Sequence, residues 1–161
     1  LGKSRALITF LGDALKGIIP VLIVKLVIGP SIPGLNSELL QLVLGFAVVL
    51  GHDFPFFLHF KGGKGIATSA AVMMGFDWRM GLCCLVIFVA VVAITRYVSL
   101  ASTLLSAALI VEILIFYPGR WDLFVMILLY AGFAIYRHRA NIKRLMSGTE
   151  NKLGHKVEVK K

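Results

Sequence analysis

Cysteine is scarce and wrongly spaced for most of its chemistries: Cys83 and Cys84 are the only two in 161 residues. They are adjacent inside an apolar run, where their side chains diverge along a helix, a poor arrangement for an intramolecular disulfide. No CxxC pair is present and nothing nearby completes a metal site, so both are read as buried small residues. Charge is the second shortage. Charged residues make up 16% of the chain against 58% hydrophobic, with a mean hydropathy of +0.89. An ordinary soluble domain has about a quarter charged residues and about 45–50% apolar ones. The solvent for most of this chain is therefore lipid. There is no GxSxG elbow, no Ser/His/Asp set, no paired carboxylates of the kind used for general acid and base work, no internal repeat and no low-complexity segment. The opening LGKSR lacks the n-region, h-region and cleavage site of a signal peptide.

The formal charge of +9 does not make the protein a nucleic-acid binder. Such a binder gathers its charge into a solvent-exposed footprint with groove-reading or base-stacking elements. Here the basic residues lie between or beyond apolar runs, as in a membrane protein facing an anionic leaflet surface.

The hydropathy pattern predicts an all-α, polytopic bundle of about six membrane elements, at about 5–29, 38–58, 66–76, 81–95, 98–116 and 121–136. GPSIPG and YPGR are loops. The third element is short, because a full crossing takes roughly 20 residues and a helix of about 11 rises only about 16 Å. It is expected either to extend through the glycine-rich segment or to be a half-depth element facing protein. RHRANIKRL reads as an interfacial helix, and residues 151–161 as a polar tail following a membrane domain over 1–150.

Alternating six elements across a bilayer collects Lys3, Arg5, Lys61, Lys64, Arg96 and the basic residues of 137–144 on one side. Only Arg79 and Arg120 fall on the other. The positive-inside rule assigns the basic side to the cytoplasm. Every candidate polar stretch then faces the same compartment.

HFKGGKG, residues 59–65, is the most distinctive of these. It lacks the GxxxxGK[ST] spacing of a nucleotide P-loop. Its glycines still permit close backbone approach, and its amides, a following helix N-terminus and the ammoniums of Lys61 and Lys64 suit phosphate oxygens. The plain structural reading is a tight turn at Gly62, Gly63 and Gly65 with the lysines enforcing topology. His52 and Asp53 precede Pro55, which disfavours helical geometry at Phe54, so they are expected where a helix ends and water enters. His52 is a candidate general base or phosphate donor, or simply a hydrogen-bonded interfacial histidine; His59 is a weaker candidate. Asp13 and Lys16, three apart, are expected to pair on one helix face, with substrate contact as the second reading. Lys25 is expected to snorkel to the far interface. Glu112, in LIVEILIF, satisfies another polar group, sits at the interface or serves a proton relay. After the last span, Arg137, Asn141 and Arg144 share a helical stripe if the helix continues, with His138 beside them. Guanidinium groups suit phosphate and Asn141 can orient a hydroxyl. Without an activated nucleophile, an enzyme of this kind needs a substrate that already carries a good leaving group, and an acyl phosphate fits. The same cationic mouth also suits a transporter or channel for a phosphate-bearing solute, or a noncatalytic lipid-binding subunit.

GHDFPFFLHFKGGKGIAT, with DALKG before it and YRHRANIKRLMSGTE after it, resembles the bacterial membrane glycerol-3-phosphate acyltransferases that use acyl phosphate, over residues 1–150. The resemblance implies transfer of a fatty acyl group from acyl phosphate to the 1-hydroxyl of sn-glycerol 3-phosphate in the bacterial cytoplasmic (inner) membrane, giving lysophosphatidate and phosphate. It implies membrane lipids as surroundings and no metal or other cofactor. It assigns the acyl-phosphate site to Gly62, Gly63, Lys64 and Gly65, with Lys61 and His52 in the same block, and glycerol phosphate to His138 and Asn141, with Arg137 as a weaker addition. Glu150 is carried over as a motif acid of structural character. The family's first motif, a Ser-Gly-Asn-x-Gly-Ala-Thr-Asn block followed by arginine, and a first span are expected before LGKSR. The chain therefore reads as N-terminally incomplete, with six of seven spans, and without that block it is expected to be inactive by itself.

Overall fold

The apolar runs fold as helices, and the sites where each stops are set by proline, glycine and capping side chains. The computed structural model describes residues 3–154. Helix α1, Lys3–Ile23, contains Pro20 and passes without a break through a π-helical turn, Val24–Ile28, and a closing turn, Gly29–Ser31. Helix α2, Ser37–Asp53, is capped by Asn36, whose Oδ1 accepts from the Leu39 amide at 3.2 Å. Its end falls just before Phe54-Pro55, as the proline demands. Helix α3, Ile66–Phe76, starts at Gly65 and ends at Asp77, which in turn caps α4, Trp78–Thr95, by accepting from the Arg79 amide at 2.9 Å. Helices α5, Val98–Phe116, and α6, Trp121–Arg137, complete the long elements. A short α7, Arg139–Met146, leaves α6 at a bend of 59°.

Four helices are long and apolar enough to cross a membrane, and a fifth is reached if the bent pair of α6 and α7 is taken as one span. The protein is thus an all-α polytopic membrane bundle among the described residues. α3 has 11 residues and falls short of that length, which is the physical difference from an even set of six.

α3 sits at the centre, packed on α1, α2 and α4; α5 joins α4 to α6, and α6 returns to α2. Val72 and Met73 of α3 are completely buried, together with Val21, Leu42, Met80, Leu123 and Ile127 from the surrounding helices. Small residues allow the close approach. A Cβ on Gly17 would stand 2.6 Å from the Thr68 carbonyl oxygen, and one on Gly45 2.7 Å from the Tyr130 hydroxyl. That hydroxyl donates to Leu42 O at 2.8 Å, so its buried polar atom is satisfied. Outward-facing positions such as Ile8, Val86, Ile94 and Ile115 are exposed and apolar, as lipid-facing positions are.

Polar networks hold the end of the bundle opposite the glycine-rich turn. Arg120 pairs with Glu38 and, at 2.9 Å, with Asp122; Arg79 pairs with Asp77 at 2.6 Å, and Tyr117 donates to the same carboxylate at 3.1 Å. Lys25 is exposed and reaches toward the far end, beside Asp77. Its ammonium donates to the carbonyls of Gly75 at 3.2 Å and Phe76 at 2.7 Å. These belong to the unpaired C-terminal carbonyls of α3, where a cation is favourable. Cys83 and Cys84 are free thiols. Glu112 is buried with neither carboxyl oxygen hydrogen-bonded among the described residues, so no polar group satisfies it there.

Candidate functional site: a cationic mouth on an apolar cavity

At the end of α2, the chain makes a single 3-10 turn, Phe56–Leu58, and reverses through His59 and Phe60, whose φ angles are +52° and +59°. The Gly62 amide then donates back to Asp53 O at 3.1 Å, laying 62–65 against the last turn of α2. Only glycine fits that closeness. A Cβ on Gly62 would collide with the His52 carbonyl and stand 2.6 Å from Pro55 Cδ, and one on Gly63 would collide with the His52 ring. Gly65 has φ +68° and caps α3 without a side chain, so the first amides of α3 have no side-chain cap.

Two sets of polar contacts converge on this turn. In the first, Lys16 lies 2.6 Å from both Asp13 Oδ1 and His52 Nδ1, and His52 Nδ1 lies 3.5 Å from the same aspartate oxygen. An ammonium has only donors, so Nδ1 of His52 is the acceptor and the ring proton belongs on Nε2, against Gly63. Arg137 joins from α6. Its Nη2 donates to Gly63 O at 2.6 Å, its Nε lies 2.8 Å from Oδ2 of the fully buried Asp53, and its guanidinium covers the Phe54 ring at 4.9 Å. The Nε–H is not aligned on that oxygen, so the Asp53 contact is Coulombic.

In the second set, Lys64 donates to Asn141 Oδ1 at 2.5 Å, Asn141 Nδ2 donates to Glu150 Oε1 at 2.7 Å, and Arg144 Nε donates to Glu150 Oε2 at 2.7 Å. Burial lowers the Lys64 pKa from its ordinary value, and the nearby Arg144 and Arg137 charges add to that effect against Glu150. Burial pushes Glu150 up, but hydrogen bonding from Asn141, Ser99 and Arg144 outweighs it and holds the carboxyl below its ordinary value. Buried His138 places Nδ1 2.8 Å from the Ala134 carbonyl. A carbonyl only accepts, so Nδ1 carries a proton and Nε2 is the free position.

Both sets open on one cavity of about 1080 Å³. Its polar end is formed by Asp13, His52, Lys64, His138, Asn141 and Glu150, and its apolar part by Ile18, Met74, Leu85, Phe88 and Leu105 from four helices. Lys61 is exposed on the turn, and its ammonium makes no hydrogen bond or ion pair among the described residues.

Most of the candidates picked from sequence thus lie together; Glu112 does not, lining a separate apolar recess with Leu82, Cys83 and Val86, and the helical stripe needs correction. Arg137, Asn141 and Arg144 do not share a stripe, because the backbone bends at His138 and Arg137 stays on α6. Arg137 consequently meets the glycine turn and Asp53, while the other two meet Glu150. Asp13 and Lys16 pair as expected, and their contact with His52 was not legible from spacing. Ser99 was not singled out. It lines the cavity, buried beside Glu150, and a serine in an apolar run gives no sequence signal to distinguish it.

Fold and site together define an integral membrane protein with a cationic, glycine-lined mouth on an apolar cavity, a chamber suited to a molecule that is phosphate at one end and hydrocarbon at the other. The comparisons with known proteins are specific. A family model described as Glycerol-3-phosphate acyltransferase matches residues 1–148, and the chain belongs to that family. It is similar to the glycerol-3-phosphate acyltransferase of Thermoanaerobacter sp. (strain X514), at 44% identity over 99% of this chain and 76% of the relative. It is also similar to that of Methylococcus capsulatus, at 40% identity over 96% and 74%. The crystal structure of PlsY (YgiH), an integral membrane glycerol 3-phosphate acyltransferase, in its glycerol 3-phosphate form superposes with a TM-score of 0.82. It is 36% identical, over 96% of this chain and 74% of that one. Its lysophosphatidic acid form gives the same TM-score.

Proposed function

We propose that the protein transfers a fatty acyl group from acyl phosphate to the 1-hydroxyl of sn-glycerol 3-phosphate, giving lysophosphatidate and phosphate, as a multi-pass protein of the bacterial cytoplasmic membrane. The observation that carries this reading is the continuity of the cationic mouth with the apolar cavity. One substrate is an amphiphile whose reacting carbonyl lies where those two environments meet. Family membership supports the same reaction. The chain supplies six membrane elements, with α3 as the short one, and a complete family protein seven; residues 1–150 form the acyltransferase domain and 151–161 follow it as a polar segment, of which 155–161 lie outside the described residues.

Their contacts support the following residue roles. Gly62, Gly63 and Gly65 bring backbone amides close to the donor phosphate, and Lys64 supplies charge beside Asn141. Lys61 adds to the field at the mouth. Asn141, His138 and Arg137 hold glycerol phosphate, and Glu150 orients Asn141. His52 donates from Nε2, because Lys16 occupies its other nitrogen. The hydroxyl oxygen attacks the acyl carbonyl carbon, the new ester bond forms, and the carbonyl–phosphate oxygen bond breaks with its electron pair leaving on phosphate. The departing phosphate takes the hydroxyl proton. Holding the two reactants together supplies much of the acceleration.

Full-length protein in proteoliposomes, given acyl phosphate and glycerol 3-phosphate, is expected to form lysophosphatidate and to leave no acylated protein when quenched with donor alone. Movement of phosphate solute without product would favour the transporter, and a kinetically competent acyl-protein adduct would overturn direct transfer.

The lowered pKa of Lys64 sets an alkaline limit. Its ammonium is intact below that pKa and is lost as pH rises through it, so KM for acyl phosphate rises on the alkaline side before the ordinary lysine range of about 10.4 is reached. In Lys64→Arg, which stays charged, the rise is expected to move to higher pH. Initial-rate measurements across pH check this; a KM that is flat in both proteins removes Lys64 from the donor site.

A further inference from the structure

The segment after α7 does not trail away from the bundle. Gly148, at φ +70°, turns the chain, and Thr149 N donates back to Arg144 O at 2.8 Å. The strap 150–154 then crosses to the connection between α4 and α5. There Leu153 N donates to Arg96 O at 2.7 Å, while Arg96 Nε and Nη2 donate to Leu153 O at 3.2 and 2.8 Å. Lys152 Nζ stands 5.4 Å from the Tyr97 ring centroid beside this clasp. Arg96 is itself held in the left-handed region, at φ +63°, by a 2.8 Å bond from its amide to Val92 O. Between the clasp and α7 lie Glu150 and Asn151, and both line the cavity.

We infer that Arg96 is a positioning residue for the acceptor substrate, acting through the strap on Glu150 and through Glu150 on Asn141. The chemistry turns on the asymmetry of an amide. An ionised carboxylate only accepts, so Glu150 takes the Nδ2 end of Asn141 and thereby presents Oδ1 to Lys64. Glu150 belongs to an irregular segment with no helix to fix it, and a long side chain on a loose backbone loses rotamer freedom when it is held. The clasp supplies that backbone restraint using the Leu153 main chain, so it is indifferent to which side chain stands at 153. Arg96 touches no cavity wall and is not a catalytic residue.

This inference rests on the acyltransferase reading, and the test separates the two. In full-length protein reconstituted with both substrates, Arg96→Ala is expected to raise KM for glycerol 3-phosphate about tenfold, with kcat and the KM for acyl phosphate within about twofold, the scale of one or two lost hydrogen bonds. Leu153→Pro removes the other half of the clasp, the Leu153 N–H, without touching Arg96, and is expected to give the same rise. Arg96→Lys, with fewer and less directed donors, recovers part of it. Added to Glu150→Gln, Arg96→Ala adds little, because both act on Asn141. Hydrogen exchange at the Leu153 amide reports the clasp itself and is expected to accelerate in Arg96→Ala. An unchanged KM in both clasp variants of a working enzyme overturns the inference, as does a fall in kcat at constant KM or full additivity with Glu150→Gln. If the wild type forms no product, the acyltransferase reading fails, and slow Leu153 exchange lost in Arg96→Ala still establishes the clasp.

Discussion

Asn141→Ala is expected to lower kcat/KM for glycerol 3-phosphate by about 10²- to 10³-fold, the scale of losing one preorganised hydrogen-bonding group from a reaction chamber. The size follows from its position between two charges. Its side chain accepts from Lys64 and donates to Glu150, so its removal leaves an ammonium and a carboxylate short of a partner in a partly buried setting. The backbone at 141 lies within α7, and alanine is a strong helix former, so the helix itself is retained. Steady-state titration of both substrates in proteoliposomes measures the effect. Unchanged apparent affinities and rates would remove Asn141 from the site.

Gly62→Ala is expected to cost about as much on the donor side. A methyl group there collides with the His52 carbonyl and crowds Pro55 Cδ at 2.6 Å and the Asp53 carbonyl carbon at 2.9 Å. Two of those three neighbours are backbone and the third is a rigid ring, so the turn must lift off α2 rather than a side chain swing aside. Overpacking of this kind costs about 1–3 kcal/mol, and here the displacement carries away the amides and the Lys64 ammonium together, so kcat/KM for acyl phosphate is expected to fall about 100-fold. Gly51→Ala is the control, because a Cβ at 51 meets nothing within 4 Å. Wild-type kinetics in Gly62→Ala would show that the turn does not need its close approach.

The helices were legible because their boundaries are written in local chemistry. Pro55 ends α2, and the apolar run 66–76 was read with the bounds it has in the fold; the cap at Asp77 was not read, and α4 starts at Trp78 rather than 81. The candidate residues were legible as types, since lysines among glycines and basic residues beyond a span suggest phosphate wherever they meet. What spacing could not supply is which of them meet. Lys64 and Asn141 are 77 positions apart, and Lys16 and His52 36 apart, so their contacts are products of helix packing. The break after the last span was legible, since RHRANIKRL reads as a separate interfacial helix, but its effect on the 137, 141 and 144 stripe was not, because no glycine or proline marks the bend; the His138 amide shares the carbonyls of Ala134, Ile135 and Tyr136 instead of continuing a single ladder. Arg96 read only as a topology charge, since a clasp to the main chain at residue 153 leaves no side-chain pattern to find.

A double-mutant cycle on Lys64 and Asn141 tests most directly whether the glycine turn and the segment after α6 form one reaction chamber. With Lys64→Gln and Asn141→Ala combined, the account predicts a loss in kcat/KM little larger than that of the worse single variant, a coupling of about 0.5–3 kcal/mol as expected for side chains in one network. Losses that simply add would contradict it, because two groups bonded at 2.5 Å in a common chamber cannot act independently.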